Sequence, residues 1–126
     1  MTRAVVTTLA DLSSLSYDRK DLGALKALLH RTDEVQVSVY LLEPGGRIPM
    51  HRHTACWDIS FVIEGEIEAR FLEDGEVRAV RCGPQALNLV PPGQSHEIAN
   101  ASAAKPAKFL LIQSPSQGFD FIKERA

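Results

Sequence analysis

The sequence has little cysteine and tryptophan, no long apolar run and no marked excess of either charge. It contains two cysteines, Cys56 and Cys82, and one tryptophan among 126 residues. Two cysteines are too few for a disulfide framework, so we expect reduced thiols and a cytoplasmic protein. The start, "MTRAVVTTLADLSSL", lacks the apolar stretch of a signal peptide, and no segment approaches the roughly 20 apolar residues of a membrane span.

The charge of the chain gives no indication of a macromolecular partner. Its formal net charge is −2, and the basic residues are scattered along the sequence rather than clustered. We therefore predict that it binds neither nucleic acid nor a membrane. A chain of this length buries roughly two-thirds of the surface that its unfolded form exposes, so residues 1–126 are expected to form one domain.

Strand patterns dominate the sequence from residue 35 onward. The predicted strands cover residues 35–42, 86–93 and 107–114, and residues 59–83 read as two successive hairpins. The first hairpin would turn near Glu64-Gly65 and the second at Asp74-Gly75, a dipeptide favoured in tight turns. Many short strands separated by turn residues favour a sandwich or a barrel, and closure into a barrel removes exposed strand edges.

Residues 21–33, "DLGALKALLHRTD", fit either a helix or a strand. Asp21 is a suitable helix cap, and four leucines of this segment fall at helical spacing. Periodicity alone leaves a strand open for "LKALLH" within it.

Ionisable side chains are concentrated in "HRHTACWD", residues 51–58, which holds half of the four histidines. His51 and His53 are two residues apart, so on a strand they point to the same face. Asp58 begins the next predicted strand, and His96 follows the stiff turn "PPGQS". Neighbouring strands could therefore aim three imidazoles and a carboxylate at one point. That set is typical of sites for iron, manganese, nickel, copper or zinc.

Two spaced motifs in this region resemble those of the cupin family. The first cupin motif is a glycine, five residues, His-x-His, three or four residues, a glutamate, six residues and a glycine. Here Gly45 is followed by five residues, His51-x-His53, four residues, Asp58, six residues and Gly65. Asp58 thus stands where the family has glutamate, one methylene longer.

The second cupin motif is matched by Pro91-x-Gly93, two residues, His96, three residues and Asn100. Gly83 lies seven residues before Pro91, where the family has five, which is a small departure in a loop. Two motifs in the right order make the resemblance specific, although together they span under half of the chain.

The resemblance implies an all-β fold, the double-stranded β-helix or jelly-roll barrel. Its core would lie at about residues 35–114, with an extension at each end, and residues 24–30 would form an additional strand. It also implies one divalent transition metal per subunit. The implied metal ligands are His51, His53, Asp58 and His96. The shorter Asp58 would bind the metal directly or through water, or else the site has three histidine ligands only.

The remaining singled-out residues are expected to have structural roles. Cys56 is predicted to be a small buried hydrophobe, Trp57 to pack rather than to stack on a ligand, and His30 to lie at the surface. Asn100 is predicted to secure a turn or a strand end through backbone hydrogen bonds.

An apolar row should face away from the metal. Ile59, Phe61 and Ile63 alternate with Asp58, so they point outward and must be covered. Small cupins commonly form homodimers, and the resemblance therefore implies a homodimer. The tail "SPSQGFDFIKERA" is expected to pack on the barrel or on a second subunit.

Fold and metal leave three functional classes open, because this barrel supports many activities. The first is a non-haem oxygenase, such as a dioxygenase, acting on a small organic molecule. The second is an isomerase, lyase or cyclase that uses the metal as a Lewis acid. The third binds a small molecule without turnover. Besides the implied ligands, Tyr40 and Arg47 are the only ionisable residues that we place as candidates in the barrel interior. So few acid–base groups favour the oxygenase, in which the metal and the substrate carry most of the reaction.

Overall fold

The computed structural model of the chain describes residues 15–124 together with residues 4 and 6. These residues form eleven strands and two short 3₁₀ helices, Asp21–Gly23 and Ser116–Gly118, and they contain no α-helix. The strands are β1 (Asp18–Arg19), β2 (Ala24–Arg31), β3 (Gln36–Leu42), β4 (Arg47–Arg52), β5 (Trp57–Glu64), β6 (Ile67–Glu73), β7 (Glu76–Cys82), β8 (Leu87–Val90), β9 (His96–Asn100), β10 (Ala107–Ser114) and β11 (Ile122–Lys123).

The strands form two antiparallel sheets. A six-stranded sheet has the order β1-β2-β3-β10-β5-β8, and a five-stranded sheet has the order β11-β4-β9-β6-β7. From β3 to β6 the chain alternates between the sheets at each step, as in a jelly roll. The predicted all-β barrel is confirmed, and β2 confirms the strand expected over residues 24–30. In the described part of the chain, no helix has the length and apolar character needed to cross a membrane.

The hairpin predicted at Glu64-Gly65 is wrong. β5 already pairs with β10 on one side and with β8 on the other, so it has no free edge for β6. The turn at Gly65 instead carries the chain from one sheet to the other. The second predicted hairpin, with Asp74-Gly75 at its turn, joins β6 to β7 and is confirmed.

The barrel interior changes from apolar to polar along its length. On β10 the side chains of Phe109 and Gln113 both point inward and are buried. Phe109 pairs across to Val62 of β5 within the apolar core, whereas Gln113 pairs across to Asp58 of the same strand. Because side chains alternate along a strand, this register separates an apolar end from a polar end.

Asn100 closes the apolar end of the barrel. Its Nδ2 group donates hydrogen bonds to the backbone carbonyls of Leu42, Glu43 and Lys105, and its Oδ1 atom accepts from the backbone N–H of Ser102. The predicted role of Asn100 in securing a strand end is therefore confirmed.

Replacing Gly65 by alanine should destabilise the barrel through two separate effects. Gly65 has a φ of 79°, where an added Cβ costs about 1–2 kcal/mol. That Cβ would also lie 2.6 Å from the carbonyl oxygen of Pro106, so the backbone must shift. We expect a total loss of roughly 3 kcal/mol or more in the free energy of unfolding, measured by urea denaturation.

Gly75 is the matched control for this variant. It has a similar φ of 80°, but nothing lies within 4 Å of an added Cβ. Gly75→Ala should therefore cost only the conformational part, about 1–2 kcal/mol. Equal losses in the two variants would show that the sheet-to-sheet corner is not tightly packed.

Candidate metal centre

The four predicted ligands lie together at the polar end of the barrel. His51 is on β4 and His53 directly follows that strand, while Asp58 and His96 lie near the starts of β5 and β9. One ligand atom from each residue lies within 4.8 Å of all the others, and all four side chains are buried. Two strands of one sheet and one strand of the other thus supply the cluster.

Each imidazole of the cluster is oriented by a backbone carbonyl. The Nδ1 atoms of His51, His53 and His96 lie 2.7, 2.5 and 2.9 Å from the carbonyl oxygens of Pro49, Asp120 and Gln94, in that order. A carbonyl oxygen only accepts hydrogen bonds, so each Nδ1 carries a proton. In a neutral imidazole this leaves the Nε2 lone pair free to bind a metal.

Asp58 reaches the histidines despite its short side chain. Its Oδ2 atom lies 3.0 Å from Nε2 of His53 and 2.9 Å from Nε2 of His96. Its Oδ1 atom accepts a hydrogen bond of 2.9 Å from the amide of Gln113, which in turn accepts one of 3.2 Å from Gln36. The two glutamines fix the carboxylate so that its other oxygen faces the imidazoles.

A second proton on Nε2 or a metal ion between the carboxylate and the imidazoles would satisfy this arrangement. With Nδ1 already protonated, Nε2 faces a carboxylate oxygen favourably only if a second proton or a metal ion lies between them. Two ligands about 2.1 Å from a shared ion and at right angles to each other are about 3.0 Å apart. The observed separations of 2.9 and 3.0 Å suit a shared ion as well as an N–H···O hydrogen bond. The donor set of three imidazoles and a carboxylate fits a divalent metal.

Burial and mutual charge set the protonation of the cluster. Burial alone would raise the pKa of Asp58, but hydrogen bonds from His53 and His96 hold that pKa well below its usual range. Burial lowers the pKa of His51 to about 4, and the charge of His96 adds to this effect. Burial opposes the charged form of His53, yet its hydrogen bond to Asp58 leaves the pKa raised. Asp58 is therefore an anion and His51 a neutral donor at neutral pH.

The C-terminal segment after β10 packs on the barrel and covers the histidines. β11 pairs with β4 at His51 and Arg52. The ring of Phe121 stacks on His51 with 4.2 Å between centroids, and the ring centroid of Phe119 lies 5.2 Å from that of His53. Beneath these rings is a cavity of about 30 Å³, room for roughly one water molecule. The first of the two predictions for the tail, packing on the barrel, is therefore confirmed.

The comparison of sequences identifies the family. Residues 38–113 match the cupin domain, which is more than half of the chain. The chain is a cupin. Germin-like protein 1 of Brassica napus is 30% identical to it over 82 residues, which are 64% of this chain and 40% of the relative. Auxin-binding protein 4 of Zea mays is 24% identical over 119 residues, or 88% of this chain and 58% of the relative. This cupin thus spans about two-fifths to three-fifths of these curated relatives.

Solved structures show the same fold. An uncharacterized conserved protein with a double-stranded β-helix domain from Klebsiella pneumoniae superposes with a TM-score of 0.75 at 21% identity, covering 97% of this cupin and 100% of that chain. A structure described in a study of the mechanism of oxalate oxidase superposes with a TM-score of 0.73 at 19% identity, covering 89% of this cupin and 60% of that chain.

Three other residues singled out in the sequence lie outside the cluster. Cys56 is buried, and burial followed by the charge of Asp58 raises the pKa of its thiol to about 11, so it behaves as the predicted small hydrophobe. His30 is half-buried on β2. Trp57, at the first position of β5, is 44% exposed, so it packs less completely than predicted.

Sequence reasoning missed several residues that shape this centre. Gln36 and Gln113 occupy inward positions on strands whose other inward residues are mostly apolar or small. A glutamine at such a position could have been recognised in the sequence as a polar residue of the barrel interior. The carbonyl of Asp120 gave no signal, because any residue type supplies one. Of the two proposed interior residues, Tyr40 lines the cavity. Arg47 is exposed and pairs with Glu97.

Substitutions at Asp58 test whether its carboxylate is a metal ligand. Asp58→Ala should weaken metal binding by about 10-fold or more, because a carboxylate beside the ion is lost. Asp58→Glu restores the usual family side chain and should keep the metal. His30→Ala, which removes a histidine outside the cluster, is the control and should bind metal like the parent. Competition with a coloured chelator measures the affinities, and parental affinity in Asp58→Ala would reduce the site to three histidines.

Proposed function

We propose that this cupin binds one divalent transition metal per subunit and acts as a non-haem oxygenase on a small organic molecule. The proposed ligands are His51, His53, Asp58 and His96. One observation carries the proposal: three carbonyl-oriented imidazoles and an ionised carboxylate converge in a buried space. Iron, manganese, nickel, copper and zinc all accept this donor set, and oxygenase chemistry requires one of the redox-active ions.

The lining of the cavity supports an oxygenase over acid–base chemistry. Held by these four residues, a redox-active metal would supply the activation of dioxygen. Besides the proposed ligands, Tyr40 is the one ionisable side chain among the described residues that line the cavity. Burial, followed by the charge of Asp58, raises the pKa of Tyr40 to about 12, so its phenol stays protonated and is available to donate a hydrogen bond. Gln113 also lines the cavity, and Ile48, Ile98 and Leu111 make much of the remaining wall apolar.

The relatives add support of a limited kind. The description of one structural neighbour names oxalate oxidase, which associates oxidase chemistry with this fold. Because the two chains share 19% identity, that likeness carries the fold alone, and the reaction proposed here depends on the residues of this cupin.

A metal-dependent isomerase, lyase or cyclase is the second candidate. Tyr40 favours it, because a phenol that lines the cavity could donate a hydrogen bond to a group bound to a Lewis-acidic metal. The two candidates differ in their need for dioxygen.

An oxygen test separates the candidates. The protein is purified without added metal, its metal content is measured by elemental analysis, and the iron-loaded form is assayed with a panel of small organic acids under air and under argon. We expect oxygen uptake with substrate under air and no turnover under argon. The His51→Ala/His53→Ala double variant should lose both metal and uptake while staying folded, because the core lies at the other end of the barrel. Turnover that persists under argon would support the Lewis-acid reaction, and binding without turnover in either gas would contradict both enzymes.

We also propose a cytoplasmic homodimer. Cytoplasmic location is supported by the free, buried thiols of Cys56 and Cys82. The dimer is supported by an apolar outer face on the six-stranded sheet. There Ile59 pairs with Leu89 and Phe61 pairs with Leu87. Phe61, Leu87 and Leu89 are 39%, 59% and 60% exposed, so apolar area remains for a second subunit to cover.

Light scattering tests the dimer. The parent protein at micromolar concentration should give twice the subunit mass, and Leu89→Glu should give the single-subunit mass, because a charge on the outer face opposes association. Val77→Glu is the control, since Val77 is 46% exposed on β7 in the other sheet. A single-subunit mass for the parent would contradict the homodimer.

A further inference from the structure

A second, larger chamber lies directly outside the histidine cavity. It has a volume of about 320 Å³, within the usual range for small-molecule sites. The chamber and the cavity share four lining side chains, which therefore form the wall between them. They are Tyr40, Ile48, Phe119 and Phe121. A ligand in the chamber would have an apolar, mainly aromatic surface beneath it and the candidate metal centre beyond that surface.

The lining of the chamber is also rich in positive charge. Lys20, Lys26, Arg47 and Lys123 line it, together with a single acidic residue, Asp21. These residues come from both sheets, since Lys26 is on β2 whereas Arg47 and Lys123 are on β4 and β11. The fold therefore brings cations together that are far apart in the sequence.

Most of this positive charge has no compensating partner. Arg47 pairs with Glu97 at 3.3 Å, but within residues 15–124 none of the three lysines of the chamber forms an ion pair. Lys26 is half-buried with its ammonium 5.8 Å from the ring centroid of Tyr40. Burial lowers the pKa of Lys26, and the charge of Lys20 adds to this effect. An anion in the chamber would offset both the burial of the Lys26 ammonium and its repulsion by Lys20.

We propose that this chamber binds a small organic carboxylate, with its apolar body against Phe119 and Phe121 and its carboxylate among Lys20, Lys26 and Lys123. Its binding to the lysines does not require the metal, and only a reaction of the bound ligand at the metal centre would rest on the proposed function. The size of the chamber, its apolar wall and the excess of positive charge in its lining favour a compact molecule that carries both an apolar body and an anionic group.

Titration calorimetry with three probes tests the chamber. The probes are 3-phenylpropanoate, its neutral amide and acetate, and each is titrated into the protein as purified and again after removal of metal by a chelator. We expect 3-phenylpropanoate to bind in both forms at least about 10-fold more tightly than the amide, which lacks the charge, and than acetate, which lacks the apolar body. Equal affinity of the acid and the amide, or no measurable binding of the acid, would overturn the proposal.

Matched lysine variants locate the charge. Lys26→Met and Lys123→Met should each weaken binding of the acid by several-fold to 10-fold and leave the amide unchanged. Lys105→Met, which removes a lysine outside the chamber, should change neither, and an equal loss in that control would overturn the proposal by showing a general charge effect. Acid binding that disappears with the metal would place the carboxylate on the ion and contradict the lysine site. If the parent protein binds the acid but cannot be loaded with metal, the chamber site stands and the proposed function fails.

Discussion

The orientation of three imidazoles by three backbone carbonyls is the constraint on which the candidate centre depends. These carbonyls lie in different parts of the chain: at Pro49 within β4, at Gln94 before β9 and at Asp120 in the C-terminal segment. A backbone carbonyl cannot rotate away as a side chain can, so the tautomers are fixed by the path of the main chain. Metal-binding capacity is therefore a property of the whole barrel, and the loop "HRHTACWD" alone could not provide it.

Burying the carboxylate of Asp58 is the main electrostatic cost of this arrangement. An ionised carboxylate in an apolar interior is strongly unfavourable unless it is hydrogen-bonded or paired. Here both oxygens are occupied, Oδ1 by the amide of Gln113 and Oδ2 by His53 and His96. The register of β10 against β5 places Gln113 opposite Asp58, so the strand pairing that closes the barrel also satisfies the buried charge. Fold and site share these interactions at the polar end, while the apolar end stabilises the barrel independently.

Some features of the fold and of the candidate metal centre could be predicted from the sequence, and others could not. The four clustered residues were predictable, because two motifs fix their spacing and strand alternation fixes their faces. The strand at residues 24–30 was also predictable, but only from the family resemblance, since its leucines fall at helical spacing. The hairpin at Glu64-Gly65 failed because a glycine turn looks the same locally whether the next strand joins the same sheet or crosses to the other. That choice depends on which edges of β5 are already paired.

The C-terminal segment illustrates a further limit of local sequence patterns. Its contribution to His53 is a carbonyl, and its contribution to the cavity is the pair of rings at Phe119 and Phe121, which alternate along an extended chain. Nothing in "GFDF" indicates a site until β11 pairs with β4 and lays the segment over the histidines. With these rings in place, the cavity has room for roughly one water molecule, and the larger space lies outside them. The same two side chains therefore line both the small cavity and the outer chamber, so the sizes of the two spaces depend on one short segment.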